Sequence, residues 1–372
     1  MNIENSSFEN STSVSGGALY LNTENEYFNI KSTNFINCTA DDGGAIMLDY
    51  DNNDASFYNI YISQCKTSLT GCILSISQIN LKIYSTIIKD AIGSGLFLQD
   101  SHDSVLIVDT IFNDIFNNNI YNTGGAIVSN DKVTGLTIAG CTFERNVEEF
   151  QSGGAVKLNG GNSQFLITDS ATGLRLQTVE SQHPFFAQGE SEIHNITDSE
   201  ATGFILRFDS QSELTKYDYI IIKDQNKEVV LTISKGIGWP GYSLPSLRIA
   251  GSNFTIQTQS SGLGRLVYGF KLYIIPILSQ IGNPTVFDGN QAGLYGNAIY
   301  MDSNILFPII MNTKIINSYG NGRALSISAS ATGTILENVI FQNNYGGALS
   351  VDFSNAGLIV NNCQFIQNIG IK

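Results

Sequence analysis

One short motif recurs through this chain and limits what the rest can be. Ser15-Gly16-Gly17-Ala18-Leu19 returns as Gly43-Gly44-Ala45-Ile46, Gly124-Gly125-Ala126-Ile127, Gly153-Gly154-Ala155-Val156 and Gly346-Gly347-Ala348-Leu349. Looser copies are Gly71-Cys72-Ile73, Gly93-Ser94-Gly95-Leu96, Gly296-Asn297-Ala298-Ile299 and Gly322-Arg323-Ala324-Leu325. The step between copies is mostly 24 to 30 residues. A period of that size means a solenoid, in which each unit buries its apolar face only against its neighbours.

A second motif runs in phase with the first: an apolar residue, then a polar one two or three positions later. The pairs are Phe8/Asn10, Phe35/Asn37, Ile62/Gln64, Ile88/Asp90, Phe112/Asp114, Phe143/Asn146, Phe287/Asn290, Ile315/Asn317, Phe341/Asn343 and Phe365/Gln367. If each unit is one coil, these residues stack into ladders along the axis. The units are rich in Asn, Ser, Thr, Gly, Ile and Phe, which favour turns and strands over helices. Alternation is plain in Ser104-Val105-Leu106-Ile107-Val108-Asp109, and no stripe of helical period appears. Each unit is predicted to hold three short strands joined by tight turns. That is a right-handed, single-stranded parallel β-helix with each strand paired to its equivalent one coil away, about 4.8 Å apart. The glycines are expected where a Cβ would clash or φ must be positive, and the Asn residues where side-chain amides bond to adjacent coils.

Charged residues make up only 14% of the 372, and the net charge is −14, which argues against nucleic-acid binding. The surface is instead expected to be covered by Asn, Ser and Thr, as suits an extracellular or cell-surface protein. Met1 is followed by polar residues already inside a coil, and no apolar run is long enough to span a membrane. Both ends fall mid-repeat, so a segment of a longer protein is expected. The five cysteines include Cys38 and Cys65, 27 residues apart at matching positions. They read as small inward hydrophobes, with a disulfide between coils as the alternative. Acceptor sequences for N-glycosylation occur at Asn5, Asn10, Asn37, Asn195 and Asn253. Asn10 and Asn37 lie on the ladder, where pointing inward would exclude a glycan.

The rhythm holds over residues 1–174, stops, and resumes over 279–372. The interval 175–278 is expected to be an inserted domain, an antiparallel β-sandwich of short strands. Its strands are read at Gly203–Asp209, Tyr217–Asp224, Val229–Ile233, Leu247–Ile249, Phe254–Thr258 and Tyr268–Ile274. Pro184, Pro240 and Pro245 fall between strands.

Phe208-Asp209, Tyr217-Asp218-Tyr219, Ser260-Ser261-Gly262 and Gly269-Phe270-Lys271-Leu272-Tyr273 give this insert a resemblance to CUB domains, which have a jelly-roll sandwich. The disulfides common in that family have no counterpart here. The resemblance implies a calcium site with Asp218 as one ligand and Glu213 as the first. The third position holds Gln259 in place of an acid, so the implied site is degenerate. The coils resemble the repeats of chlamydial polymorphic outer-membrane proteins and of large ciliate surface proteins, which alternate Phe-x-x-Asn with Gly-Gly-Ala-Ile. That resemblance implies a β-helical surface stalk, often adhesive.

Many parallel β-helices cleave polysaccharides, a reaction that needs two carboxylates across a groove. Candidates are Asp49, Asp51 and Asp54, one coil from Asp100 and Asp103, and the pair Asp41-Asp42. All sit beside Asn and Ser, where Asp is an ordinary turn residue. Lys and Arg are sparse in the coils, and His102, His183 and His194 are scattered. The expectation is a non-enzymatic structural or adhesive surface protein without a required cofactor, associating with protein partners and with itself through the coil ends. The alternative is a carbohydrate-binding or polysaccharide-degrading β-helix.

Overall fold

The computed structural model describes residues 1–22, 27–50, 54–78, 80–119, 124–130, 133–160, 164–182, 191–260, 267–302, 305–328, 333–352 and 357–370. The chain forms two compact units: Met1–Gly173 with Asn283–Lys372, and Leu174–Gly282. Asp51, His183, Pro184, Ser261 and Gly262 lie outside the described residues.

The first unit is a parallel β-solenoid. Its coils hold three short strands, as the period predicted and as in Asp54–Tyr58, Tyr61–Ser63 and Lys66–Ile76, or four. In one coil of four these are Tyr27–Lys31, Asn34–Ile36, Thr39–Ala40 and Ile46–Leu48. What reads as one long strand is broken by a single residue in the left-handed region, Ser32 at φ 49°. Asn5, Asn59, Ser85 and Asp109 repeat this break, with φ between 47° and 52°. Short polar side chains tolerate that conformation because they bond locally. Here they also bond between coils, as from Asn338 Nδ2 to Asn312 Oδ1 at 2.8 Å.

The ladder residues pair in register through the whole solenoid. Phe8 pairs with Phe35, Phe35 with Ile62, Ile62 with Ile88, Ile88 with Phe112, and Phe112 with Phe143. Phe143 pairs with Phe287 across the insert, and the series continues through Ile315 and Phe341 to Phe365. Neighbouring rings stack nearly parallel: Phe8–Phe35 at 5.1 Å, Phe112–Phe143 at 5.0 Å, Phe143–Phe287 at 4.6 Å and Phe341–Phe365 at 5.0 Å. The coil repeat sets that spacing, because adjacent parallel strands lie about 4.8 Å apart.

Two columns follow each rung and face opposite ways; the inward one is Cys38, Cys65, Ala91 and Ile115 in the earlier coils and Asn146, Asn290 and Asn344 in later ones. The residue two positions after the rung is a left-handed corner: Asn10, Asn37, Gln64, Asp90, Asp114, Asn317 and Asn343 all have φ between 51° and 58°. Asn10 and Asn37 are therefore exposed, which corrects the inward placement, and Asn37 Nδ2 donates to Asn10 Oδ1 at 2.7 Å. The residue three positions after the rung points inward. There Asn146 donates to Asn290 Oδ1 (3.1 Å) and to the Phe112 carbonyl (3.0 Å), and Asn344 donates to Asn368 Oδ1 (2.8 Å). These buried amides satisfy carbonyls at a corner where strand pairing stops.

The two motif glycines have overlapping reasons to be glycine. Gly43 has φ 63°, which L side chains adopt at a cost. Close approach holds the second glycine as well: a Cβ on Gly154 would lie 2.2 Å from the Gln291 carbonyl oxygen of the next coil, while Gly347 has both constraints, with φ 105°. The alanine after the pair is buried in every strong internal copy, as at Ala45, Ala126 and Ala155.

The insert leaves from inside a coil. Leu166–Thr168 and Thr285–Asp288 together occupy the place of one broken strand, and both pair with the single strand Ile309–Ile316 above them. The chain departs at Asp169, in the column of the left-handed residues Gly140 and Asn312, through the short helix Ser170–Leu174. The gap is pinned shut. Ser170 N donates to the Asn283 carbonyl (2.9 Å), Asn283 N donates to Ser170 Oγ (2.9 Å), and Thr285 Oγ1 donates to the Thr168 carbonyl (2.6 Å). Buried Asp169 caps the helix by accepting from Thr172 N at 3.0 Å and also accepts from Asn312 Nδ2 at 2.7 Å.

The second unit contains two four-stranded antiparallel sheets. One is ordered Gln177–Glu180, Lys271–Leu278, Ala201–Phe208, Leu247–Ala250. The other is ordered Ile193–Thr197, Asn253–Gln259, Tyr219–Lys223, Val229–Ser234. Phe204 of the first meets Phe254 of the second, with ring centroids 5.0 Å apart.

Candidate functional site

The carboxylates that the sequence offers for catalysis are occupied in the turns. Asp49 accepts from Tyr20 Oη (2.6 Å) and from Tyr50 N (2.9 Å). Asp54 accepts from Asn80 Nδ2 (2.7 Å), and Asp41 from Ser68 Oγ (2.7 Å). Asp100 bonds the Tyr50 hydroxyl, which is raised above the usual phenol range by that contact. Asp42 is raised by burial, against a hydrogen bond from Thr70. Neighbouring hydroxyls and amides, rather than a facing carboxylate, hold these acids.

An open depression of about 630 Å³ lies beside the third strands, lined by Thr67, Ser68, Leu69, Ile92, Gly93 and Asn117–Asn119. None of these side chains ionises. Asn119 Nδ2 donates to the Ser68 carbonyl at 2.7 Å, which ties this segment to the coil containing Thr67–Leu69.

In the insert, Asp218 is buried and closes its own turn, accepting from Thr215 N at 3.2 Å and from the Thr215 hydroxyl. Glu213 forms a backbone bridge with Gly269. Gln259 Oε1 accepts from Tyr219 Oη at 2.5 Å. Among the described residues, no group of three His, Cys, Asp or Glu could hold a metal ion. The glycosylation acceptors Asn5, Asn10, Asn37 and Asn195 are exposed, and Asn253 is half-buried. Asn195 and Asn253 lie on adjacent strands, where Asn195 pairs with Thr255 and Thr197 with Asn253.

Two buried titratable groups in the solenoid carry a signal that composition does not show. Glu148 is fully buried and accepts from Gly124 N (3.0 Å), Phe150 N (3.3 Å) and Gln151 N (3.2 Å). Burial pushes its carboxyl up to about 7, against the pull of those three amides and of Lys157. His102 is buried with Nε2 3.0 Å from Ser75 Oγ, and burial pushes it down to about 4. His194, in the insert, sits 3.4 Å from Glu192. In a list of residues Glu148 looks like any surface acid; its column partner Asn117, which also serves the Gly124 turn through a 2.7 Å bond to its carbonyl, is the only hint.

These two groups make opposite contributions to stability. Glu148 has a raised folded pKa, so its contribution is complete below about 4.3 and is lost as pH rises through about 7. His102 has a depressed folded pKa, so its contribution is complete above about 6.5 and is lost as pH falls through about 4. Between about pH 4.5 and 6.5 the slopes offset, each at most about 1.4 kcal/mol per pH unit. Glu148→Gln should leave stability rising with pH across that window, and His102→Gln should leave it falling. Denaturant midpoints of the three proteins at pH 5 and pH 6.5 check this; parallel pH dependence in all three would contradict it.

No protein-family model matches the chain, and no curated protein matches it significantly.

Proposed function

We propose that this chain is a non-enzymatic extracellular surface protein, in which a β-solenoid serves as a scaffold and the insert, read as a CUB-like module, serves for interaction. The observation that carries this reading is the unbroken rung from Phe143 to Phe287, which keeps the stack in register while 109 residues, Leu174–Gly282, leave and return at one turn. A scaffold that accepts a whole domain in a turn without losing a coil suits display better than a groove enzyme. The commitment of Asp41, Asp49 and Asp54 to turn hydrogen bonds supports the same view.

Partners on this reading are proteins, including further copies of this chain. Phe341 is fully buried between rungs, whereas Phe365 is 50% exposed and Ile369 60% exposed on the last rung. A coil of a second copy would cover them and pair the open strand edges. N-glycans at Asn195 and Asn253 and a weak calcium site at Glu213 and Asp218 belong to the same proposal.

The test has two parts. Sedimentation over a concentration series, with electron microscopy of the larger species, should show end-to-end association. Incubation with neutral and acidic polysaccharides should release no new reducing ends. Reducing ends that disappear in Asp49→Asn or Asp54→Asn would establish the carbohydrate-degrading alternative in its place.

A further inference from the structure

The inward position after the second strand holds cysteine in two consecutive coils. Cys38 follows Phe35 by three residues, and Cys65 follows Ile62 by three. The residues on either side are register partners: Ile36 with Ser63, and Thr39 with Lys66. The corners before them match as well, Asn37 at φ 53° and Gln64 at φ 58°. Cys38 and Cys65 therefore occupy equivalent points one coil apart. A coil step of about 4.8 Å falls inside the Cα separation a disulfide spans, roughly 4.4–6.8 Å.

Both side chains are completely buried and belong to one core cluster. The Cys65 thiol lies against Cys38 and, as a hydrogen-bond donor, lowers it to about 7. That contact places the two sulfur atoms side by side once the coils have closed. The third cysteine nearby is placed differently. Cys72 Sγ lies 3.6 Å from the Cys65 carbonyl oxygen, and burial pushes it up to about 12. Its own register neighbours are Ala45 and Gly95, because Ile73 pairs with Ile46 and Leu96.

We propose that Cys38 and Cys65 form a disulfide between coils when the chain folds with a small disulfide oxidant of the oxidised-glutathione class. The Cys38 thiolate attacks one oxidant sulfur and expels a thiolate, leaving a mixed disulfide on Cys38. Cys65 gives its proton to solvent and attacks the Cys38 sulfur, expelling the second oxidant thiolate. Two protein thiols are oxidised, and one oxidant disulfide is reduced to two thiols. The exchange takes place before the coils close, since the folded pair is sealed from solvent. Cys72, Cys141 and Cys363 stay reduced. The proposal is independent of the surface function argued above.

The test refolds the reduced full-length chain in a mixture of oxidised and reduced glutathione. The product is denatured in acid, alkylated and weighed, then digested without reduction. The expected product carries three alkyl groups and yields one linked peptide joining Cys38 to Cys65. Five alkyl groups, glutathione retained on Cys38, or a link from Cys65 to Cys72 would overturn the proposal. Cys38→Ala provides the control, because Ala91 fills the equivalent position two coils on and is buried there. It should carry four alkyl groups, and two alkyl groups would show that another pair forms instead.

Discussion

Gly125→Ala is expected to cost about 3 kcal/mol, the largest effect of any single added methyl in the solenoid. The new Cβ would sit 1.6 Å from the Gly154 carbonyl oxygen and 2.5 Å from its carbon. Both atoms are backbone, in the same turn one coil on, so no side chain can swing aside. Relief requires the two coils to part, which breaks the adjacent bonds from Gly125 N to the Gly153 carbonyl and from Ile127 N to the Ala155 carbonyl. Gly135→Ala is the matched control: its nearest contact would be the Asp103 carbonyl oxygen at 3.3 Å. It should change stability by about 0.5 kcal/mol or less. Urea denaturation of the two variants decides the matter, and equal losses would refute close approach as the constraint on the second glycine.

Phe143→Ala is expected to cost about 3–5 kcal/mol, because its ring is fully buried and sandwiched along the axis. Phe112 lies 5.0 Å away on one side and Phe287 4.6 Å away on the other. The cavity would open where the last coil before the insert meets the first complete rung after it. Solenoid stability is a sum of local and nearest-neighbour contributions, so this gap should uncouple the coils on either side. Melting of the variant should then broaden or split in two. Phe365→Ala, on a rung with one neighbour and half exposed, should cost about 1 kcal/mol or less. Similar losses for both variants would mean that the ring stack is not what holds the coils together.

The ladder was legible because each rung repeats a bulky apolar residue at a nearly constant step. The Gly-Gly-Ala turn was legible because its strong copies recur at nearly the same step, even though Asn297 and Arg323 take the second glycine's place in the looser copies. The strand count per coil was legible only in part: Thr39–Ala40 and Ile46–Leu48 are separate, whereas one coil on Lys66–Ile76 runs through both places. The direction of the asparagines was also hidden. Asn343 and Asn344 are adjacent and identical in type, yet one is an exposed corner and the other a buried link to Asn368. Only backbone φ separates them. In the insert, Gln177–Glu180 and Ile193–Thr197 escaped notice because they are short and polar, and their pairing partners lie about 60 to 100 residues away.

The sequence also left open whether the insert separates two coils or interrupts one. The pinning bonds between Ser170 and Asn283 show an interruption, and the next coil, Ile309–Ile316, serves as the template that holds both halves of the split strand. This explains how 109 residues can be accommodated in a turn: the interruption falls at Asp169, between the left-handed corners Gly140 and Asn312 of the adjoining coils.

The in-register closure across the insert is measured most directly by cross-linking. Glu144 and Asp288 are register partners 144 residues apart, and both are partly exposed. The double variant Glu144→Cys with Asp288→Cys should form a disulfide readily in mild oxidant, identified by mass spectrometry of the linked peptides. Thr142→Cys with Asp288→Cys, two residues out of register, should form it far more slowly. Equal rates for the two pairs, or preference for the displaced one, would contradict a stack that continues unbroken from Phe143 to Phe287.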